Sequence, residues 1–140
     1  MFGCGFSPVS RDSSLRNDIF VDTISDTNGV MLRNALRARF TAETASSAKY
    51  VLKVNLSKTG KSYKALELSG AATWQEVRLS ANCDLQKDGK SIKKWNESSS
   101  SSYAIVRDLV AANAALADAE DNAIRILSEK IVSRVGITIK

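Results

Sequence analysis

The chain is 140 residues long, 44% hydrophobic and 25% charged, with a formal net charge of +5; that is one domain, long enough to bury roughly 68–70% of its unfolded surface without metal or disulfide support. Histidine is absent, which excludes Ser-His-Asp triads, Cys-His dyads and His-ligated metals, and no apolar run approaches the ~20 residues of a membrane-spanning helix. The basic balance, with a pI of about 9.4, favours anionic partners such as nucleic acid, anionic lipid or a phosphorylated glycan, although plain solubility explains the same excess.

Residues 1–17 hold Gly3, Gly5, Pro8 and several serines, which predicts an irregular tether ahead of a single domain over 18–140. Ile19 to Ile24 is rich in β-branched and aromatic residues and predicts a short strand. In DTNGVMLRNALRARFTAE, Leu32, Leu36 and Phe40 recur every four residues, with Ala35 beside them. That spacing predicts a helix ending near Glu43. Asp26 or Thr27 is placed to cap it with a side-chain oxygen, and Gly29 is tolerable in its first turn. The segment TASSA is a loop.

KYVLKVNLSK alternates. Tyr50, Leu52, Val54 and Leu56 face one way, and Lys53, Asn55 and Ser57 the other, so a half-buried strand is predicted. Polar Lys58–Lys64 predicts a turn, and Leu66 and Leu68 either extend a strand or sit in a long loop. WQEVRLSANCDLQ is the clearest element, about 43 Å of strand at ~3.3 Å per residue. Val77, Leu79, Ala81, Cys83 and Leu85 share its core face. Cys83 is then a small buried hydrophobe, badly placed for a disulfide with Cys4 on the tether.

Asp88-Gly89 supplies the positive φ angles of a tight hairpin turn, and Lys90 to Tyr103 returns antiparallel. The serine run Ser98–Ser102 has a linker's composition. A long partner strand nevertheless requires a return of similar length, so a strand with a polar, weakly packed edge is predicted. In the second helix, Leu116, Ala119, Ala123, Leu127, Ile131 and Val135 form one apolar stripe. Gly136 stands where a left-handed C-cap belongs, and ITIK is a short β-like tail.

The order β-α-β-β-β-α predicts an α+β fold: a two-layer sandwich, with two helices packed on one face of a four-stranded mixed sheet. The opposite face carries Arg78, Ser80 and Asn82 and is polar. Chemistry is sparse. There is no GxGxxG and no GxxxxGK[ST], and TGKS at Thr59–Ser62 lacks the upstream glycine and following helix of a phosphate loop. Glu120 and Asp121 sit on a helix exterior and not in a shared cleft. No enzyme, metal or cofactor is indicated. Two lysine groups stand out: Lys58, Lys61 and Lys64 in one loop, and Lys87, Lys90, Lys93 and Lys94 around the hairpin. Both are candidate anion contacts, and lysines also keep loops and edges soluble. Aromatics make up 6% and do not interleave with basic residues, which argues against a specific nucleic-acid partner.

These pieces resemble a known family. GCGFSPV is similar to the mature N-terminus of bacterial lipoproteins. ISDTNGVMLRNALRARF, with Asp26-Thr27 ahead of Gly29 and then Leu32-Arg33-Asn34, resembles the strand and first helix of the LPS-assembly lipoprotein (LptE-like) family, α-proteobacterial type. VRLSANCDLQKDGKSI resembles its long strand and hairpin, and SSSSSYAIVRDLVAANAALADAEDNAIRILSEKI its serine-rich strand and second helix. The similarity runs from about Gly3 to Val135. It implies a non-enzymatic lipoprotein anchored in the outer membrane by lipid on Cys4. Such a protein plugs the β-barrel LPS translocon (LptD), helps assemble it and assists LPS insertion into the outer leaflet. No signal sequence stands before Gly3 and Phe2 fits a lipobox poorly, so the resemblance implies a leader that was removed or that begins upstream of Met1. Family contacts with LPS do not transfer residue by residue, and the seven lysines are candidates by charge alone. An auxiliary periplasmic lipoprotein of another lipid-transport (ABC-type) system is the alternative.

Overall fold

The computed structural model describes residues 16–66, 72–104 and 109–139. In chain order they form β1 (Ile19–Val21), α1 (Thr27–Arg37), β2 (Tyr50–Leu66), β3 (Ala72–Lys87), β4 (Lys90–Ala104) and α2 (Leu109–Thr138). The sheet order is β1-β2-β3-β4. β1 lies parallel to β2, and the remaining pairs are antiparallel. α2 packs across β4 and β3, and α1 packs against α2 and β1. The expected two-layer α+β sandwich is the fold.

Alternation builds the core. Leu52 and Val54 of β2 pair in register with Leu85 and Cys83 of β3, and all four are buried. The predicted stripe of α2 closes over them: Ala119, Ala123, Leu127, Ile131 and Val135 are buried, with Leu116 partly so, and they join Leu32 and Leu36 of α1 in one cluster. Burying each leucine, isoleucine or valine of this cluster contributes about 1.5–3 kcal/mol against the entropy of ordering the chain. Arg33 fastens α1 to β1 by donating Nε–H to the Val21 carbonyl at 3.1 Å, with its guanidinium over the Phe20 ring.

Several expectations are corrected. The Lys58–Lys64 stretch is not a turn: β2 runs on to Leu66, with register shifts between Lys58 and Lys61 and again after Tyr63. Polar residues continue a strand when a neighbour supplies the ladder, and β3 does so. α1 ends at Arg37, not near Glu43, because Arg16 captures the chain beyond it. The Arg16 amide donates to the Arg39 carbonyl and the Thr41 amide to the Arg16 carbonyl, each at 2.8 Å. Phe40 is still buried, but as a bridge partner of Arg16. β1 stops at Val21, and Ile24 is buried outside it. Gly136 is an interior residue of α2 and no cap, because the helix continues to Thr138, through the first half of the supposed β-like tail.

The start of α1 also departs from expectation. Neither Asp26 nor Thr27 caps it through a side chain. Asp26, the N-cap residue, makes no side-chain cap bond and holds φ 73, ψ 164, a backbone region that favours glycine. The neighbour at Gly29 explains the tight entry. A Cβ there would lie 2.7 Å from Ile24 Cγ2 and 2.8 Å from the Ile24 carbonyl oxygen. The first turn of α1 is thus pressed onto Ile24 in the connection after β1, and the chain swings through a strained residue to reach it.

The hairpin turn is as expected, with φ 54 at Asp88 and 78 at Gly89. Two paired residues later, after Ser91, the register slips. Gln86 pairs with Ser91, but Leu85 pairs with Lys93, leaving Ile92 as the extra residue of a bulge. This decides which face every later residue of β4 takes. Trp95, Glu97, Ser99, Ser101 and Tyr103 turn toward the helices, and Lys94, Asn96, Ser98, Ser100 and Ser102 turn away.

Candidate functional site: the helix-free face of the sheet

Residues that alternate with the core build the outer face, and the strand registers stack them into rows. Asn55, Asn82 and Asn96 form one row, and Lys53, Asp84 and Lys94 the next. Asn96 ties the first row together, its Nδ2–H donating to Asn82 Oδ1 at 2.8 Å and to Ser80 Oγ at 3.2 Å. Beside β1 these rows line a groove of about 660 Å³ shared by Asp22, Thr23, Lys53, Asn55, Asn82, Asp84 and Lys94.

Asp84 is the electrostatic centre of the groove. Burial pushes its carboxyl up, but the opposing influences win and hold it below the usual carboxylate range. They are hydrogen bonds from Ser91 and Gln86 and the charges of Lys94 and Lys53. Ser91 Oγ–H donates at 2.6 Å and Gln86 Nε2–H at 3.0 Å. Two ammonium groups thus flank one carboxylate that is already occupied by neutral donors. The row by itself keeps one positive charge in excess, which Asp22 on the β1 side of the groove balances, and the two ammonium groups are what it can offer an anionic ligand.

The seven lysines do not form one patch. Lys94 lies in the groove. Lys93 turns to the helix side opposite Leu85, and Lys87 and Lys90 face each other across the hairpin end. Lys87 stacks on the Tyr50 ring from 5.9 Å while Lys49 approaches it from 5.6 Å. Lys58 belongs elsewhere: its Nζ donates to Glu120 Oε2 of α2 at 2.8 Å. That ion pair ties β2 to the helix layer and takes Lys58 out of any shared anion site. The backbones of Lys61 and Lys64 lie in β2, their side chains lie outside the described residues, and so does Cys4.

Lys53, Asn55, Asn82 and Asp84 were not singled out from the sequence as site residues. Their alternation with core positions was legible, but their assembly into rows with Lys94 depends on the bulge at Ile92. Among the described residues no cluster of His, Cys, Asp or Glu is arranged to hold a metal, and no helix is long and apolar enough to cross a membrane. Cys83 is a free, buried thiol on the core side, pushed up to about 12 by burial and by the charge of Glu97.

The fold is similar to that of several solved bacterial lipoproteins. A lipoprotein from Caulobacter crescentus CB15 is similar with a TM-score of 0.68 and 22% identity, covering 90% of this chain and 92% of its own. Rare lipoprotein B from Shewanella oneidensis gives 0.66 and 15%, covering 86% and 94%. Lipoprotein B from Nitrosomonas europaea gives 0.68 and 15%, covering 94% and 90%. No functionally curated protein matches the chain. The model of the LptE, lipopolysaccharide-assembly, family matches residues 16–135. This chain therefore belongs to the LptE lipopolysaccharide-assembly family.

Proposed function

We propose that this protein is a non-enzymatic outer-membrane lipoprotein, held by lipid on Cys4. On this reading it occupies the lumen of the β-barrel LPS translocon (LptD), helps that barrel assemble and assists LPS on its way to the outer leaflet. The observation that carries the reading is the polar groove on the helix-free face, with Lys53 and Lys94 exposed along its floor. Barrel lumens are polar, and amide and hydroxyl rows tolerate such surroundings without desolvating an unpaired charge. The Lys53–Asp84–Lys94 row offers ammonium groups to lipid A phosphates and inner-core acids, and Lys87, Lys90 and Lys93 at the hairpin end, off this row, are further candidates by charge. Lys61 and Lys64 remain candidate contacts from their charge alone.

Direct binding tests it. Purified protein is titrated with LPS and, separately, with dephosphorylated LPS, at two salt concentrations. The reading expects binding that weakens on dephosphorylation and at higher salt. Equal binding of both forms would remove the groove from the account.

A further inference from the structure

We infer that the outer edge of β4 is a strand-addition site for an extended, acidic segment of a partner protein. β4 ends the sheet, and among the described residues nothing pairs with its outer edge along Lys90–Ala104. Natural proteins shorten such edges, interrupt them with proline, charge or bulge them, or cover them; β4 carries its lysines and its bulge at the hairpin end, up to Lys94, and neither from Trp95 to Ala104. β4 has 15 residues, contains no proline, and from Ser98 to Ser102 carries only serine. An incoming strand would meet no bulky side chain there.

One contact shows which backbone groups are available. Lys130 Nζ–H donates to the Ser98 carbonyl at 2.8 Å, so that carbonyl points outward. In an antiparallel ladder a residue's N–H and C=O point to the same side, and the side alternates along the strand. The N–H and C=O groups of Asn96, Ser98, Ser100 and Ser102 therefore share the open edge, while those of Glu97, Ser99 and Ser101 serve the ladder with β3. Lys130 is a single flexible cover on this edge.

The surroundings specify the occupant. Beside the edge lies a groove of about 460 Å³ whose wall includes Glu97, Ile126, Glu129, Lys130, Arg134 and Ile137. Ile137 is 65% exposed. Every second side chain of an added strand would lie over this wall, where Ile126 and Ile137 give apolar surface, Arg134 pairs with Glu97 at 3.6 Å, and Lys130 stands against Glu129. With those four charges balanced, the positive excess along the edge comes from Lys90, Lys93 and Lys94 toward the hairpin end. A second copy of β4 would bring its own lysines against these, so the charge pattern selects an acidic strand with apolar residues at alternate positions.

The test uses a short, capped, fluorescent peptide of alternating Glu and Val, with a Lys-Val peptide as control. Fluorescence anisotropy should show the acidic peptide binding at least about tenfold more tightly. Amide exchange should slow at Asn96, Ser98, Ser100 and Ser102. Ser100→Pro removes an outward N–H that the ladder does not use, and edge strands tolerate proline. It should leave the melting profile intact and weaken the peptide about tenfold. Unchanged exchange at those four amides in the unaltered protein overturns the inference, whether or not Ser100→Pro folds. Protection of the same amides by self-association, without peptide, overturns it in favour of a second copy.

Discussion

Ser99 donates its hydroxyl hydrogen to the main-chain carbonyl of Ala123 at 2.6 Å, and both residues are buried. The serine-rich strand is thus a seat for α2. Small side chains on both partners let the helix backbone approach the sheet edge closely, and the hydroxyl satisfies itself on a helix carbonyl. Close packing, more than the hydrogen bond, is what the serine supplies. Ser99→Ala should cost about 1 kcal/mol, whereas Ser99→Leu, which forces the helix away, should cost more, about 1–3 kcal/mol. Urea unfolding of both variants checks the order, and equal costs would contradict it.

The two glycines of the helices should respond in opposite directions to alanine. Gly29→Ala puts a methyl 2.7 Å from Ile24 Cγ2 and 2.8 Å from the Ile24 carbonyl oxygen. Its helix-propensity gain of about 1 kcal/mol is then outweighed by overpacking against backbone, for a net loss of about 1–2 kcal/mol. Gly136→Ala meets nothing within 4 Å inside a continuing helix and should stabilise by about 0.5–1 kcal/mol. Thermal melts of the pair decide between a helical Gly136 and a left-handed one, for which alanine would destabilise.

Those two glycines also mark how much could be read in advance. Val77 to Leu85 alternates so regularly that β3, its buried thiol and its polar outer face were evident. The spacing of Ala119 to Val135 likewise fixed which side of α2 is buried. Local pattern misled where tertiary contacts decide. Phe40 continues the period of Leu32 and Leu36, yet its burial comes from the bridge to Arg16. Lys58 looks like a loop cation, yet it is held on Glu120, distant in sequence. The groove was the least legible feature. A two-residue turn at Asp88-Gly89 with regular pairing would set Lys93 beside Asp84, and only the extra residue Ile92 sets Lys94 there and turns Trp95 inward. No composition rule signals a bulge at that position.

Cys83 gives the fold a signature at alkaline pH. Its thiol stands at about 12 in the folded protein against an ordinary 9.0, so the unfolded chain releases its proton first. The stability contribution is complete below pH 9 and declines as pH rises from 9 toward 12. The melting temperature should fall across that window, and Cys83→Ala should flatten the fall. A thiol reagent should react with the native protein only as fast as it opens.

Charge reversal separates the lysines. If the groove takes anionic headgroups, Lys53→Glu and Lys94→Glu should each weaken LPS binding about tenfold. Lys58→Gln, which only releases Glu120, should leave binding unchanged and alter stability by under about 1 kcal/mol, as expected of an exposed pair. Titration of the three variants under one salt condition makes the comparison. A loss confined to Lys58→Gln would put the anion site on the opposite face.

A protein that works within an LPS-translocating barrel leaves the membrane together with that barrel. The decisive experiment is purification from a mild-detergent extract of outer membranes. The gene is expressed with its own upstream region and a C-terminal tag, and the material that comes with the protein is identified by mass spectrometry. The account predicts a large β-barrel protein in equal stoichiometry. Recovery with inner-membrane transporter subunits, or without any barrel, would contradict it.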